Sequence, residues 1–345
     1  MIGIVGGGLA AAKLVEGYRE AGGDDEIVIW SLDPHGPYHR PPLSKRLLRG
    51  EAEPKDALIA VEGADVRTGE RIESLDQIEA DTIVIATGAT PRTLPGTLEF
   101  RTLDDSLGLR ERAASARTAT VIGGGFIGCE VTASLTQLGL QVTQIVREPR
   151  VFAPLECPPL SEALHDLYRA KGVDLRLEES EIPEADLVVA GIGVVPNVEL
   201  AREAGLEVRS GVVVDEQFRT ARDGVYAIGD VAEFYDPLYR RHRRIEHWSN
   251  AAYHGTTLGK ILAGEDARYD IVSSFFSEEF GKSFRSYGDA SGHDGTRLEG
   301  DFHGEHAVFR FTRGGRTIAA VATGLDDEEQ SALQEEIRAG ATTTA

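Results

Sequence analysis

A chain of 345 residues that is 41% hydrophobic and 27% charged is long enough for two or three domains, which excludes a single small module and a disordered polar segment. Thirty-six basic against 57 acidic residues leave a formal charge of −21, which sets aside general nucleic-acid and anionic-membrane surfaces. Cys129 and Cys157 are the only cysteines, too few for a disulfide framework, an iron–sulfur ligand set or a cysteine-based zinc site.

The chain opens on an apolar strand over residues 1–5, followed by Gly6-Gly7-Gly8-Leu9-Ala10-Ala11, a helix to about residue 21 and a second strand over 27–30. This is a βαβ unit beginning with GxGxxA. Gly6 permits the turn, Gly8 lets backbone approach a pyrophosphate, Leu9 and Ala10 begin the helix that faces it, and Ala11 allows close helix packing. Asp33, just past the second strand, is placed to accept hydrogen bonds from an adenosine ribose. No apolar run approaches about 18 residues, and Met1 leads directly into the strand, so a cytoplasmic chain without membrane insertion is expected.

The pattern recurs. A strand over 120–122 runs into Gly123-Gly124-Gly125-Phe126-Ile127-Gly128, then a helix over 130–138 and a strand over 141–146, 117 residues after the first copy. A second pair of segments, Asp81 through Ala86-Thr87-Gly88 to Pro91 and Asp186 through Gly191-Ile192-Gly193 to Pro196, is offset by 105 residues. Each reads Asp, apolar strand, Gly, Pro. Two ordered motifs at similar offsets predict an α/β protein with two Rossmann-like dinucleotide-binding domains, most economically one for a flavin and one for a nicotinamide nucleotide.

A strand ending in Gly229-Asp230 and a helix over 249–262 lie outside the repeat. Beyond about 265 the chain changes character, with an aromatic-rich stretch over 274–287, a hairpin over 307–322 turning at Gly314-Gly315, and a charged helix over 327–338, together a small α+β domain. No histidine group has metal-ligand spacing, so no metal is expected. Cys129 falls in the first turn of a helix, where packing and a dipole-activated thiol are both open readings.

These segments meet a known pattern at Pro37-Tyr38-His39-Arg40-Pro41-Pro42-Leu43-Ser44-Lys45, which resembles the PYxRPPLSK segment of the FAD-dependent ferredoxin and rubredoxin reductases, the group that includes apoptosis-inducing factor. Ala86-Thr87-Gly88, the GGGFIGCE run from Gly123 to Glu130, the Gly191 to Pro196 loop, Ile228-Gly229-Asp230 and Glu246-His247-Trp248-Ser249-Asn250-Ala251 follow in the same order. The resemblance implies a discontinuous FAD domain (1–102 and 217–264), an inserted NAD(P) domain (103–216), a C-terminal domain (265–339) and a frayed tail (340–345). It implies that Arg40 and Lys45 face the flavin, Asp230 meets the ribitol, the His247-Trp248 backbone lies near the pyrimidine edge, and Arg101 contributes to FAD binding. It also pairs Lys45 with Glu130, making them the catalytic pair: an ammonium beside the ring stabilises the charge that hydride transfer delivers.

Three departures from the family bear on function. The segments before Asp81 and Asp186 are short. The acidic position at the end of the nicotinamide domain's second strand aligns with Val146, followed by Arg147, so NADH and NADPH are both open as hydride donors. Phe276 stands where the family commonly stacks a Trp on nicotinamide. Without a paired redox cysteine, electrons are expected to leave by outer-sphere transfer, or to a diffusing acceptor. The expected acceptor is a small acidic iron–sulfur carrier, docking near Arg240, Arg241, Arg243 and Arg244. An NAD(P)H oxidase or quinone reductase, and a redox-switched binding protein like apoptosis-inducing factor, are the alternatives.

Overall fold

Strands Ile2–Val5 and Ile27–Ser31 are buried along their whole length, the signature of a parallel sheet covered on both faces. In the computed structural model, which describes residues 1–344, they form the middle of a five-stranded parallel sheet. Its order is Val225–Ala227, Thr82–Ile85, Ile2–Val5, Ile27–Ser31, Asp65–Thr68. A second parallel sheet runs Leu187–Ala190, Thr118–Ile122, Gln141–Val146, Asp174–Leu177, the same order and direction without the outermost strand. The strand that ends at the Gly-Asp turn is thus the extra member of the first sheet, and the fold is the α/β arrangement the glycine motifs predict.

The chain divides into two compact units, one of Met1–His39, Ala57–Thr90 and Val195–Ile271, the other of Arg40–Asp56, Pro91–Val194 and Val272–Ala345. Two segments group differently from the boundaries expected from sequence. Residues 195–216 belong to the first unit because Asn197 bonds the Thr87 and Gly88 loop and Val212–Val214 pairs in parallel with Ala232–Asp236. Residues 40–56 belong to the second because Ser106 Oγ donates to the Leu43 carbonyl at 2.7 Å and Ser134 Oγ to that of Ser44 at 2.5 Å.

The first unit also packs helix Leu9–Glu20 against helix Trp248–Leu262 through glycine. A Cβ on Gly255 would lie 2.2 Å from the Ala10 carbonyl oxygen, and one on Gly259 2.4 Å from that of Leu14, so the two backbones touch. In the second unit, residues 274–323 form a five-stranded antiparallel sheet of order Ser274–Glu279, Lys282–Gly288, Arg316–Thr323, Ala307–Arg313, Gly295–Gly300. Its hairpin turns at Gly314 and Gly315 as expected. Helix Asp327–Thr344 continues past Gly340, where the sequence reading places a frayed tail. A Cβ there would sit 1.9 Å from the Thr317 carbonyl oxygen, so Gly340 marks close packing against the sheet; Ala345 lies outside the described residues. Among the described residues no helix is long and apolar enough to cross a membrane.

Candidate dinucleotide and electron-transfer sites

In the first unit, Gly6 adopts φ +115°, and a Cβ there would meet the Ala86 carbonyl oxygen at 2.2 Å. Gly8 then caps helix Leu9–Glu20 at φ −93°, ψ −172° with no side chain on the terminal N–H groups, and the first turn carries no acid. An uncapped twelve-residue helix behind bare backbone offers N–H groups and a positive dipole end to an anion, which fits a pyrophosphate. Asp33 accepts the His35 N–H at 3.0 Å on one oxygen and the Tyr38 hydroxyl at 2.7 Å on the other. It therefore orders its own loop, and a ribose would use the remaining lone pairs.

The Gly-Asp turn reaches this cradle. Gly229 has φ +75°, its Cβ position lies 3.2 Å from Ala10 Cβ, and its N–H donates to Nδ1 of the wholly buried His254 at 3.2 Å. Burial holds His254 neutral, its pKa lowered to about 3. Asp230 follows, half-buried, and the loop Ala86-Thr87-Gly88 is held by Asn197, whose Nδ2 donates to the Thr87 carbonyl at 2.8 Å. His247 caps helix Trp248–Leu262 with its ring Nδ1 3.4 Å from Ser249 Oγ, and Trp248 Nε1 donates to His39 Nδ1 at 3.1 Å.

The second unit repeats the first cradle. Gly123 has φ +118° with its Cβ position 2.2 Å from the Gly191 carbonyl oxygen, and Gly125 caps helix Phe126–Gln137 at φ −89°, ψ −172°. That helix begins at Phe126, four residues earlier than the sequence reading, so Phe126, Ile127 and Gly128 form its first turn. Gly128 and Gly191 approach each other backbone to backbone, and Gly193 has φ +94°.

The repeat also corrects the alignment at the ribose position. Gly6 N–H donates to the Trp30 carbonyl and Gly123 N–H to that of Ile145; Gly69 and Glu70 donate to Asp33 and Ser31, as Glu178 and Glu179 do to Glu148 and Val146. Val146 therefore corresponds to Ser31, and it is buried beneath Gly124. Arg147 is exposed at the place of Leu32, and the exposed Glu148 occupies the place of Asp33. From sequence Glu148 counts only as a charge opposing a 2′-phosphate, because its equivalence to Asp33 rests on strand pairing.

Of the remaining predicted residues of the second unit, Lys45 meets Glu130. Lys45 breaks helical geometry (φ −118°, ψ −108°) within Leu43–Leu47, and its Nζ lies 2.5 Å from Glu130 Oε1. The same oxygen accepts from Ser277 Oγ at 2.7 Å, and Oε2 accepts from Ser44 Oγ. A buried carboxylate with an ammonium and two hydroxyls is well compensated, so this pair is built rather than incidental. Arg101 lies at the start of helix Leu103–Ala113, its N–H held by Asp105 at 2.9 Å, and Arg40 is half-buried. Phe276 is 36% exposed, with the Arg285 guanidinium 5.7 Å from its ring centre.

Cys129 is fully buried, and burial together with the nearby Glu279 pushes its thiol up, so the helix dipole does not activate it. Cys157 is also buried and pushed up to about 12. The four-arginine run is not a uniform docking face. Arg243 Nη1 pairs with the buried Asp236 at 2.7 Å, and Arg244 pairs with Glu246, because a half-buried guanidinium is stabilised by a carboxylate of its own fold. Arg240 and Arg241 remain exposed.

Residues 2–255 match the pyridine nucleotide-disulphide oxidoreductase family. The chain is 31% identical over 93% of its length to the ferredoxin–NAD(+) reductase component of the anthranilate 1,2-dioxygenase system of Burkholderia cepacia, covering 90% of that protein. It is 30% identical to rubredoxin–NAD(+) reductase of Ectopseudomonas oleovorans, covering 84% of this chain and 87% of that one. Among solved structures it is similar to the covalent putidaredoxin reductase–putidaredoxin complex, with a TM-score of 0.93, 28% identity, and coverage of 98% of this chain and 93% of the other.

Proposed function

The chain belongs to the pyridine nucleotide-disulphide oxidoreductase family, among the ferredoxin and rubredoxin reductases, and from that premise we propose that it holds FAD at the first cradle, takes hydride from NADH at the second, and delivers electrons to a small acidic iron–sulfur carrier in the cytoplasm. It is an oxidoreductase that uses a flavin and a nicotinamide nucleotide. The observation that carries the finer reading is the duplicated cradle: two glycine turns of nearly equal φ, each in front of an uncapped helix, suit two dinucleotides rather than one.

A bound flavin supplies the capacity to take two electrons together and release them one at a time. This chain's own residues do the rest. The helix Leu9–Glu20 N–H groups and Gly8 hold the pyrophosphate; Asp33 and Asp230 take ribose and ribitol hydroxyls. Lys45, fixed by Glu130, would offer a bound flavin the positive charge that its reduced form needs. The helix Phe126–Gln137 terminus and Gly125 would hold the second pyrophosphate, while Gly191 and Gly193 present no side chain there. Neither buried thiol takes part, so electrons leave without a disulfide relay.

Glu148 favours NADH, since a carboxylate accepts both ribose hydroxyls and repels a 2′-phosphate. The neighbouring Arg147 supplies the opposing pull that would admit NADPH. The test is anaerobic reduction of the purified protein by each coenzyme, identification of the released flavin, and reoxidation by ferredoxins, rubredoxin, quinones and oxygen. FAD, NADH preference reduced in Glu148→Ala, and fastest reoxidation by an iron–sulfur protein are expected. FMN would overturn the cradle assignment; faster reoxidation by oxygen or quinone would make the protein an oxidase, and slow reoxidation by every acceptor a redox-switched binding protein.

A further inference from the structure

Strand Ser274–Glu279 alternates, so Phe275, Ser277 and Glu279 share one face while Phe276 and Glu278 point away. That face meets helix Phe126–Gln137 in step. Phe275 packs edge-on against Phe126 with centroids 5.0 Å apart, and two residues along, Ser277 meets Glu130, one helical turn beyond Phe126. The next inward position is Glu279, fully buried.

Ser277 Oγ lies 2.7 Å from Glu130 Oε1 and 2.5 Å from Glu279 Oε1. A hydroxyl carries a single proton, so it donates to one of these oxygens, and the other contact needs a proton from the carboxyl side. Glu130 already accepts from Lys45 and Ser44, which makes it the ionised member and the natural acceptor of the Ser277 proton. Glu279 has no such support: among the described residues its Oε2 has no hydrogen-bond partner. An ionised Glu279 would be a second buried carboxylate facing Glu130 with two acceptors meeting across a single hydroxyl proton.

We propose that Glu279 is a neutral carboxylic acid that donates to Ser277, and that Glu279, Ser277 and Glu130 form a one-proton relay ending beside Lys45. The step is balanced and needs no co-reactant. The Ser277 hydroxyl proton moves to Glu130 as the Glu279 proton moves to Ser277, so Glu130 becomes the acid, Glu279 the carboxylate, and Ser277 is restored. Its consequence is control of Lys45: a neutral Glu130 leaves the ammonium's charge unopposed, and an ionised one restrains it. That consequence rests on the reading that Lys45 meets the flavin. Burial, with Glu130 next in weight, pushes Glu279 up to about 8. Lys45 and the Ser277 hydroxyl act in the opposite sense, Glu278 adds to the shift, and Cys129 and Tyr168 both feel the Glu279 charge.

Infrared spectroscopy of the purified holoprotein tests this directly. Near neutral pH the wild type should show a protonated-carboxyl C=O band that shifts on deuterium exchange and fades as pH rises through about 8. Glu279→Gln should remove that band, and Ser277→Ala should move it to the frequency of an acid lacking its acceptor. A wild type without the band, or a band unchanged in both variants, overturns the proposal, and the wild-type measurement stands even if a variant fails to fold. Failure of the Lys45 reading looks different: flavin reduction would be indifferent to Lys45→Met while the band and its response to Glu279→Gln persisted, and the relay would still be supported.

Discussion

At the scale of single residues, the cluster around Glu130 separates chemistry from folding. Lys45→Met removes the ammonium but leaves Glu130 accepting from Ser44 and Ser277, so flavin should remain bound. Stopped-flow reduction should slow by roughly tens to a thousand-fold, the effect of losing one charge-stabilising group worth about 2–4 kcal/mol. Glu279 and His254 give stability opposite pH dependences. Glu279's folded pKa is raised from the ordinary 4.5 to about 8, so the folded state holds its proton more tightly, and the stability it contributes is full below 4.5 and is lost as pH rises through about 8. His254 is lowered from 6.5 to about 3, so its contribution is present above 6.5 and lost as pH falls through about 3. Thermal melts across pH should therefore show the wild type losing its advantage over Glu279→Gln on the alkaline side, and over His254→Gln on the acid side. A Glu279→Gln difference that stays constant from pH 5 to about 9 would remove the first assignment.

At the scale of elements, function depends on how closely backbones approach. The helices Leu9–Glu20 and Trp248–Leu262 touch at Gly255 and Gly259, and the first of these contacts lies at Ala10, the residue that also meets Gly229. Gly255→Val should force the helices apart, cost roughly 1–3 kcal/mol as overpacking does, and weaken flavin retention because the cradle and the Gly-Asp turn share that contact. Gly108→Ala is the control. Beyond its chain neighbours and its own helix backbone, nothing lies within 4 Å of its Cβ position in helix Leu103–Ala113, so it should keep the flavin and gain roughly 0.5–1 kcal/mol. Equal flavin loss in both variants would argue against the shared contact. The glycine turns and both βαβ units were legible in the sequence because a left-handed or crowded backbone demands glycine whatever surrounds it. Glu148 and Glu279 were not, for a tertiary reason. Glu148 becomes the counterpart of Asp33 only once the Gly69 and Glu178 hydrogen bonds align the two sheets, and Glu279 becomes inward-facing only when its strand meets helix Phe126–Gln137. The unit boundaries escaped for the same reason, since hydroxyl bonds from Ser106 and Ser134 decide where residues 40–56 belong.

At the scale of the whole molecule, the formal charge of −21 opposes encounter with an acidic electron carrier, so any steering must be local. The arginine run can supply it only in part. Arg243 is engaged with Asp236, which is itself buried, and lies 4.7 Å over the Tyr239 ring; Arg244 pairs with Glu246 and donates to the Asp230 carbonyl at 3.3 Å. Removing Arg243 takes the ion-pair partner from buried Asp236, and removing Arg244 takes that of Glu246 and a donor from the Asp230 carbonyl, effects on stability and on the Gly-Asp turn. Arg240 and Arg241 are exposed, where charge acts on association rate more than on folding. The two pairs should therefore respond differently in steady-state reduction of an acidic ferredoxin at increasing ionic strength. In Arg240→Ala/Arg241→Ala, kcat/KM should fall at low salt and its salt dependence should flatten. In Arg243→Ala and Arg244→Ala, the melting temperature should drop while the surviving enzyme keeps the wild-type salt slope. If the exposed pair leaves the salt slope untouched, the run is an internal ion-pair element, and the carrier docks elsewhere on the molecule.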